Sequence, residues 1–434
     1  MSRIKLNKLL QIEYSKVALF FVFFICIGTF VNKSDMYDYN LFHAMVEAIV
    51  EKGTFQVKES DQPRLNYAGG GDAFEYNGGR FASKQPGAML LAAVPYYFLH
   101  KAGFNYVDDY YKTTSLVTVL STSLYAALAM TLLFSSLGPR IGTASALILT
   151  AFFGFGTNFF AYASNLHHDA TAASFLVISF YFIEKGLFLN NTLNPFILLL
   201  GGFCLGFVPF ISMLPSFIVL SLVLYALSSN KKQHLAYFLV GFAIGMLPLI
   251  AYNSYYFGAP WIMQNVVGGY TNTMFNFSPS LMRFHSFLYF GPGAISVFWY
   301  MPIYYLGFLG LFFLPSIKQR IFFLSGCVLH FTYLLNIESF GHCQYGPRFL
   351  LPTLPFIIWG LIGLWNVSVP YISYAIRVVI IVFGLYGMVI NTFGAWMGTM
   401  YCQIQYFPVK TYLAQPDSIK NPEFPLRNLL KPDY

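Results

Sequence analysis

The sequence predicts an all-α, polytopic membrane protein of about 11 transmembrane helices, with a large first extracytoplasmic loop that carries interfacial helices. Three observations lead there. Of the 434 residues, 57% are hydrophobic and only 10% are charged, and mean hydropathy is +0.58. A water-soluble chain of this length has no core large enough for that much apolar surface. Runs such as VALFFVFFICIGTFV (17–31) and TTSLVTVLSTSLYAALAMTLLFSSL (113–137) have the length and composition of segments that cross hydrocarbon, which takes ~20 apolar residues. Their hydrophobicity is continuous rather than alternating. Of the two structures that satisfy their own backbone in lipid, this pattern selects helices over barrels.

Eleven such segments lie at 17–31, 113–137, 141–163, 168–184, 195–212, 213–229, 235–256, 294–314, 321–337, 348–366 and 374–396. The first has no small-residue cleavage site after it and reads as an uncleaved span. A further stretch, PGAMLLAAVPYYFLHKAG (86–103), is short and interrupted by Pro95. Charge decides its status. Arg3, Lys5, Lys8 and Lys16 place the N-terminus on the cytoplasmic side. If 86–103 does not cross, Arg140, Lys185, Lys231, Lys232, Lys318, Arg320 and Arg377 all fall inside, and within 113–396 only Arg283 and Arg348 fall outside. If it crosses, the ratio inverts. Residues 86–103 are therefore expected to be interfacial or re-entrant. The chain then divides into a transmembrane domain, 1–396, with its first extracytoplasmic loop at 32–112, and a short extracytoplasmic tail, 397–434.

The net charge of +8 is scattered through loops without a basic block, which gives no reason to expect a nucleic-acid partner. Cys26, Cys204 and Cys327 lie in apolar runs and read as small core residues. Cys343 and Cys402 lie outside them and are the two that a disulfide would use. The 48 Phe and 32 Tyr read as core and lipid-facing residues, with outer-face tyrosines such as Tyr67 or Tyr345 open to stacking on a sugar.

This topology gathers the unusual polar residues on one face. Asp35 and Asp38 follow the first span, Arg80 and Lys84 lie in FEYNGGRFASKQPG, and NLHHDA contributes His167, His168 and Asp169. NIESFGHCQYGPRFLLPTLPF contributes Glu338, His342 and Arg348. YDYNLFHAMVEAIVEKGTF reads as an amphipathic helix lying flat at the interface. Leu41, Phe42, Met45, Val46, Ile49 and Val50 form one face, His43, Glu47 and Glu51 the other, and Gly53 the stop. Asp38 sits at its N-terminal end, where capping the helix and catalysis are both open roles.

These residues resemble the GT-C glycosyltransferases, most nearly the branch of protein O-mannosyltransferases and lipid A aminoarabinose transferases. That branch has Asp-Glu and then Arg-Tyr in its first outer loop, with a Gly fifteen residues after the Asp. Here Asp38 precedes Gly53 by fifteen, with Phe42 at the Tyr position. Its Lys-Pro-Pro followed by aromatics is similar to SKQPGAMLLAAVPYY, which sets Lys84 at the lysine that contacts a lipid phosphate. YGPRFLLPTLPF resembles the Arg-Tyr-x-x-Pro-x-x-Pro start of a late span, with Arg348 as its cation. Tyr39 replaces the second acid of the pattern and Leu41 its Arg, so Asp35 becomes the candidate second carboxylate.

The resemblance implies an integral-membrane glycosyltransferase, in the bacterial inner (plasma) membrane and active on its extracytoplasmic face. The donor it implies is a polyprenyl-phosphate-linked sugar, and the acceptor a hydroxyl on lipid, glycan or protein. Asp38 is the general base, and Lys84, Arg348 and Arg80 are the donor-phosphate cations. The leaving group is good, so no cofactor is required, and a divalent metal is left open. His167, His168 and Asp169 are open to substrate contact, to metal binding or to capping the fourth span. Adjacent histidines on a helix point apart and chelate poorly as a pair. Glu338 and His342 are candidates of the same kind. The competing reading is a transporter or flippase of a lipid-linked sugar, against which stand charges gathered at one surface rather than near the midplane.

Overall fold

All eleven apolar segments contain helix where they are described. The computed structural model describes residues 3–31, 37–57, 73–189, 194–262, 264–268, 284, 296–337 and 345–397; within these, the side chains of 3–14, 37–39, 265–266 and 397 are left aside. Asp35, Tyr67, Arg283, Glu338, His342, Cys343 and Cys402 lie outside the described residues, and Asp38 is described in its backbone alone.

In chain order the elements are α1 (Arg3–Gly28), α2 (Tyr37–Glu51), the hairpin β1 (Ala73–Tyr76) and β2 (Gly79–Ala82), and α3 (Gly87–Lys101). There follow α4 (Tyr110–Ile141), α5 (Thr143–Phe155), α6 (Phe159–Ala163), α7 (His168–Leu189), α8 (Pro195–Ile211), α9 (Ser216–Leu227) and α10 (Lys232–Phe257). The last are α11 (Gln264–Val267), α12 (Val297–Tyr300), α13 (Ile303–Leu311), α14 (Ile317–Asn336), α15 (Arg348–Trp365) and α16 (Pro370–Met397). Among the described residues α4, α7, α10, α15 and α16 are each long and apolar enough to cross a bilayer. The segments 141–163 and 294–314 are each broken into two helices. The first break has a visible cause. A Cβ on Gly156 would meet the carbonyl oxygens of Phe152 and, from α16, Gly384. Thr157 closes α5 on the Phe153 carbonyl (2.8 Å) and receives the Phe159 N–H at the start of α6 (3.3 Å).

Glycine sets the closest helix contact. On α8, a Cβ at Gly202 or Gly206 would fall on the Phe238 or Phe242 carbonyl of α10. On α10, a Cβ at Gly241 or Gly245 would fall on the Leu199 or Phe203 carbonyl of α8. Both helices carry the Gly-x-x-x-Gly spacing that lets backbones meet where lipid gives helices no hydrophobic reason to associate. Gly206→Leu is expected to cost more than the ~1–3 kcal/mol of ordinary overpacking, because the opposing atom is backbone. Detergent-solubilised protein should lose its monodisperse gel-filtration peak, whereas Leu247→Ala, on the exposed face of α10, should keep it.

Two polar clusters mark opposite ends of the bundle. At one end the Arg140 guanidinium pairs with Glu184 (2.7 Å) and lies over the Trp359 ring (4.5 Å). Glu184 also accepts from the Tyr225 hydroxyl and from Gln319 Nε2 (3.2 Å), joining α4, α7, α9, α14 and α15. Lys318 bonds the Ser228 carbonyl and Arg377 the Trp365 carbonyl, so these cations gather at the same end. The other end holds the start of α7, the end of α8 and the start of α15.

The segment 86–103 begins and ends at that second end. Its helix, α3, starts at Gly87, where a Cβ would meet the Phe210 backbone at 2.6 Å. The chain beyond it enters α4 at Tyr110, whose hydroxyl donates to Asn40 of α2. Thr122, twelve residues farther along α4, already meets Thr171 in the opening turn of α7 (3.3 Å), so Tyr110 stands well beyond the bundle end. One face of α3 is buried (Ala88, Met89, Ala92, Ala93, Tyr96), and the other leaves Val94, Tyr97 and Phe98 exposed.

The amphipathic helix differs from its expected pose. Tyr37–Glu51 is helical and stops before Gly53, whose φ is +66°, but its polar face is not presented to water. His43 and Glu47 are buried because α3 and the segment after it pack over them. His43 Nδ1 shares a hydrogen bond with the Tyr106 hydroxyl (3.0 Å), and Tyr96 donates to Glu51. Burial alone lowers the His43 pKa to about 3. The unfolded chain therefore takes up a proton near pH 6.5 that the folded chain refuses. The stability His43 contributes is whole above pH 6.5 and falls by about 1.4 kcal/mol per pH unit as pH drops towards 3. Thermal melts from pH 7 to 4 should show a slope that His43→Gln flattens.

Of the cysteines expected in the core, Cys204 and Cys327 are buried and Cys26 is exposed. Cys26 sits on an apolar helix with exposed Val22 and Ile25 beside it, so it occupies the outward face of α1.

Candidate functional site

The site forms where the starts of α7 and α15 meet the end of α8 and the loop before α3. His167 is the extended N-cap of α7 (φ −136°, ψ 126°), and its Nδ1 accepts the Asp169 N–H at 3.2 Å. That backbone corrects the expectation that the adjacent histidines point apart. Only His168 is helical, and the His167 ring folds back to stack on it with centroids 4.6 Å apart at 21°. The Tyr162 ring covers His167 from α6 at 4.5 Å. Burial first, then the charges of His168, Arg348 and Lys84, hold the His167 pKa well below the usual histidine range, with Asp169 acting in the opposite sense. His167 is therefore neutral at pH 7.

Asp169 is buried in the first turn of α7. Its Oδ1 accepts from the Ser212 hydroxyl at the end of α8 (3.1 Å) and lies 3.3 Å from His168 Nε2. Its Oδ2 faces Arg348 Nη1 at 3.7 Å, an ion pair too long to be a hydrogen bond. Arg348 is delivered by a turn that needs glycine: Gly346 has φ +62°, and its Cβ position is closed by the Tyr300 ring at 2.9 Å. From there Arg348–Thr353 runs as a tight 3₁₀ turn into α15, with the guanidinium over the Phe349 ring at 4.7 Å. Arg348 Nη1 comes within 3.5 Å of His167 Nε2. A neutral imidazole accepts at one nitrogen only, and the shorter contact from Asp169 N–H uses it. The Arg348 approach is thus contact without a full hydrogen bond.

Lys84 enters from the hairpin side. Gln85 Oε1 accepts the Met213 N–H (3.4 Å) and Gly87 is pressed on Phe210, so the loop is docked on the end of α8 and Lys84 is close enough for its charge to act on His167. Arg80 stands in β2 opposite Glu75, in register with a carboxylate of its own hairpin. The backbone of Asp38 lies in the first turn of α2, one turn before Phe42, whose ring meets His168 at 5.5 Å. Tyr345, a candidate sugar platform, is instead a core residue. It is buried, donates to the Ile390 carbonyl (2.6 Å) and packs on Tyr300.

One end of the bundle thus brings together two cations, a carboxylate and two imidazoles, beside the N-terminus of α2. No protein-family model matches the chain, and no curated protein does so either. Solved structures do. ArnT from Cupriavidus metallidurans bound to undecaprenyl phosphate superposes with a TM-score of 0.53 at 12% identity, over 88% of this chain and 69% of that one. The archaeal oligosaccharyltransferase AglB from Archaeoglobus fulgidus, in complex with an inhibitory peptide and a dolichol-phosphate, gives 0.51 at 10% identity, over 97% of this chain and 60% of that one. The chain has the GT-C fold. At these identities the likeness is one of fold, and the chain spans only 60–69% of the two proteins' lengths. Within the GT-C fold, Ser212, Gln85 and Tyr162 join the site without having been singled out from the sequence. Gln85 had a signal, its place beside Lys84 before a Pro-Gly. Ser212 and Tyr162 had none, because their roles depend on contacts with residues far along the chain.

Proposed function

We propose that the protein is an integral-membrane glycosyltransferase that moves a sugar from a polyprenyl-phosphate-linked donor to an acceptor hydroxyl. The observation that carries this reading is the convergence of Lys84, Arg348, His167 and Asp169 at the bundle end beside α2, in a GT-C fold. The lipid phosphates named with the two similar proteins, undecaprenyl phosphate and dolichol-phosphate, support a polyprenyl phosphate donor here. The bond between the anomeric carbon and the phosphate oxygen breaks with its electron pair on the phosphate. The acceptor oxygen bonds that carbon, and its proton passes to the Asp38 carboxylate. Asp35 is the reserve carboxylate. Lys84 and Arg348 meet the charge that grows on the departing phosphate, with Arg80 of the hairpin as a further phosphate cation.

The cations Arg140, Lys318 and Arg377 gather at the far end from this site. By the positive-inside tendency this supports an active site on the extracytoplasmic face, in a bacterial inner membrane. Mass spectrometry of envelope glycans and lipids from cells with and without the protein tests the reading. One sugar modification should vanish without it, and purified protein should release free polyprenyl phosphate from the donor. Movement of intact sugar-lipid across a bilayer without bond cleavage would make it a transporter instead.

A further inference from the structure

Among the described residues, the buried polar atoms of the site without a hydrogen bond include Asp169 Oδ2 and Arg348 Nε. Their side chains are 1% and 6% exposed, and the Oδ2 to Nη1 distance of 3.7 Å leaves the ion pair short of a hydrogen bond on either side. Buried donors and acceptors are nearly always satisfied, and an exception inside a functional site marks where a water, an ion or a ligand atom belongs. The rest of each group is well held. Ser212 and His168 fix Oδ1 of Asp169, while the Gly346 turn and the Phe349 ring fix Arg348. Among the described residues, what is lacking is an acceptor for Arg348 Nε and, within a few ångström of the guanidinium, a donor for Asp169 Oδ2.

We infer that this pair reads the transferred sugar as well as the phosphate: Arg348 takes a phosphate oxygen, and Asp169 accepts a hydrogen bond from the hydroxyl on carbon 2. The inference rests on the donor class proposed above and adds a specificity to it. Carbon 2 is bonded to the anomeric carbon that bears the phosphate, so its hydroxyl is the sugar donor group nearest the phosphate oxygens. A carboxylate cannot itself donate, so an atom that meets Asp169 must carry a proton. A site built to hydrogen-bond a hydroxyl discriminates strongly against the analogue that lacks it, because its own polar atom is then left unpaired. Asp169 is thus a specificity residue for sugars with a hydrogen-bond donor on carbon 2, and 2-deoxy donors are disfavoured.

Binding to the full chain in detergent separates the outcomes. The probes are bare undecaprenyl phosphate, a set of undecaprenyl-phosphoryl hexoses and pentoses, and the 2-deoxy counterpart of whichever binds best. For the wild type, the best sugar-bearing lipid should bind more tightly than the bare lipid, and its 2-deoxy counterpart should lose that gain. Asp169→Asn should weaken the sugar-bearing lipid roughly tenfold or more relative to the bare lipid, so that the gain from the sugar is lost. If Asp169→Asn weakens both lipids equally, Asp169 only holds Arg348 in place and the inference falls. It falls also if the 2-deoxy lipid binds as well as its parent, or if no sugar improves on the bare lipid. Failure of wild-type protein to bind even bare undecaprenyl phosphate would remove the donor class itself, and the inference with it.

Discussion

Asp38→Asn protein is expected to insert, fold and bind its donor while transferring no sugar. The substitution keeps the size of the side chain and removes the proton acceptor, and a general base contributes roughly 10²–10⁴-fold to rate. The role at issue is chemical rather than structural because α2 is secured elsewhere. Phe42, Met45 and Val46 are buried, Asn40 and His43 bond Tyr110 and Tyr106, and Glu51 receives Tyr96. A first-turn carboxylate also favours the helix dipole, worth typically ~0.3–1 kcal/mol, so a small fall in melting temperature is compatible with the account. Release of polyprenyl phosphate from donor, followed by thin-layer chromatography, is the readout. Turnover within about tenfold of wild type would assign Asp38 to the helix and remove it from the chemistry.

Arg348→Gln is expected to injure both stability and donor binding, and the two effects separate. Asp169 is buried and faces Arg348 across 3.7 Å, so removing the guanidinium leaves a buried carboxylate without its countercharge. Breaking a buried pair from one side costs ~3–5 kcal/mol; the length of this one puts the loss at the lower end. Adding Asp169→Asn removes the stranded charge and should restore the melting temperature of the Arg348→Gln protein. Binding of undecaprenyl phosphate should stay low in the double variant, because the phosphate cation is still missing. Recovery of both properties together would reduce Arg348 to a structural partner of Asp169. The cycle is informative because the two residues touch, and contacting residues are where additivity fails.

Particular residues show what was legible in the sequence and what was not. The helical class and the placement of the apolar segments follow from continuous hydrophobic runs, since lipid permits little else. The expectation that 86–103 does not cross came from the cation count alone. The hairpin had a signal that went unread. Asn77 and Gly78 have φ +47° and +75°, and Asn-Gly between short apolar stretches is a strong hairpin signature. The paired Gly-x-x-x-Gly spacings of α8 and α10 were equally visible, though not which helices they would join.

Other features had no local signal. The periodicity of α2 separates His43 and Glu47 from its apolar face, but only the packing of α3 decides that both faces are covered. The π-helical turns at Val119–Ser123 and Glu184–Leu189 lie where residues far along the chain meet the helix, as Ser123 meets the Ala163 carbonyl. The approach of His167, Asp169, Ser212 and Arg348 likewise spans more than 40 positions at each step except the first. Sequence pointed to the loops that hold most of these groups, and only the fold brings them within reach of one another.

One end of this bundle is proposed to hold the phosphate of a polyprenyl lipid between Lys84 and Arg348. A cryo-electron microscopy map of the purified protein with undecaprenyl phosphate is the decisive measurement. Phosphate density is expected within contact of Lys84 Nζ and the Arg348 guanidinium, beside the first turn of α2. Phosphate density at the Arg140–Glu184 end, or on the lipid-facing surface away from His167, would overturn that placement.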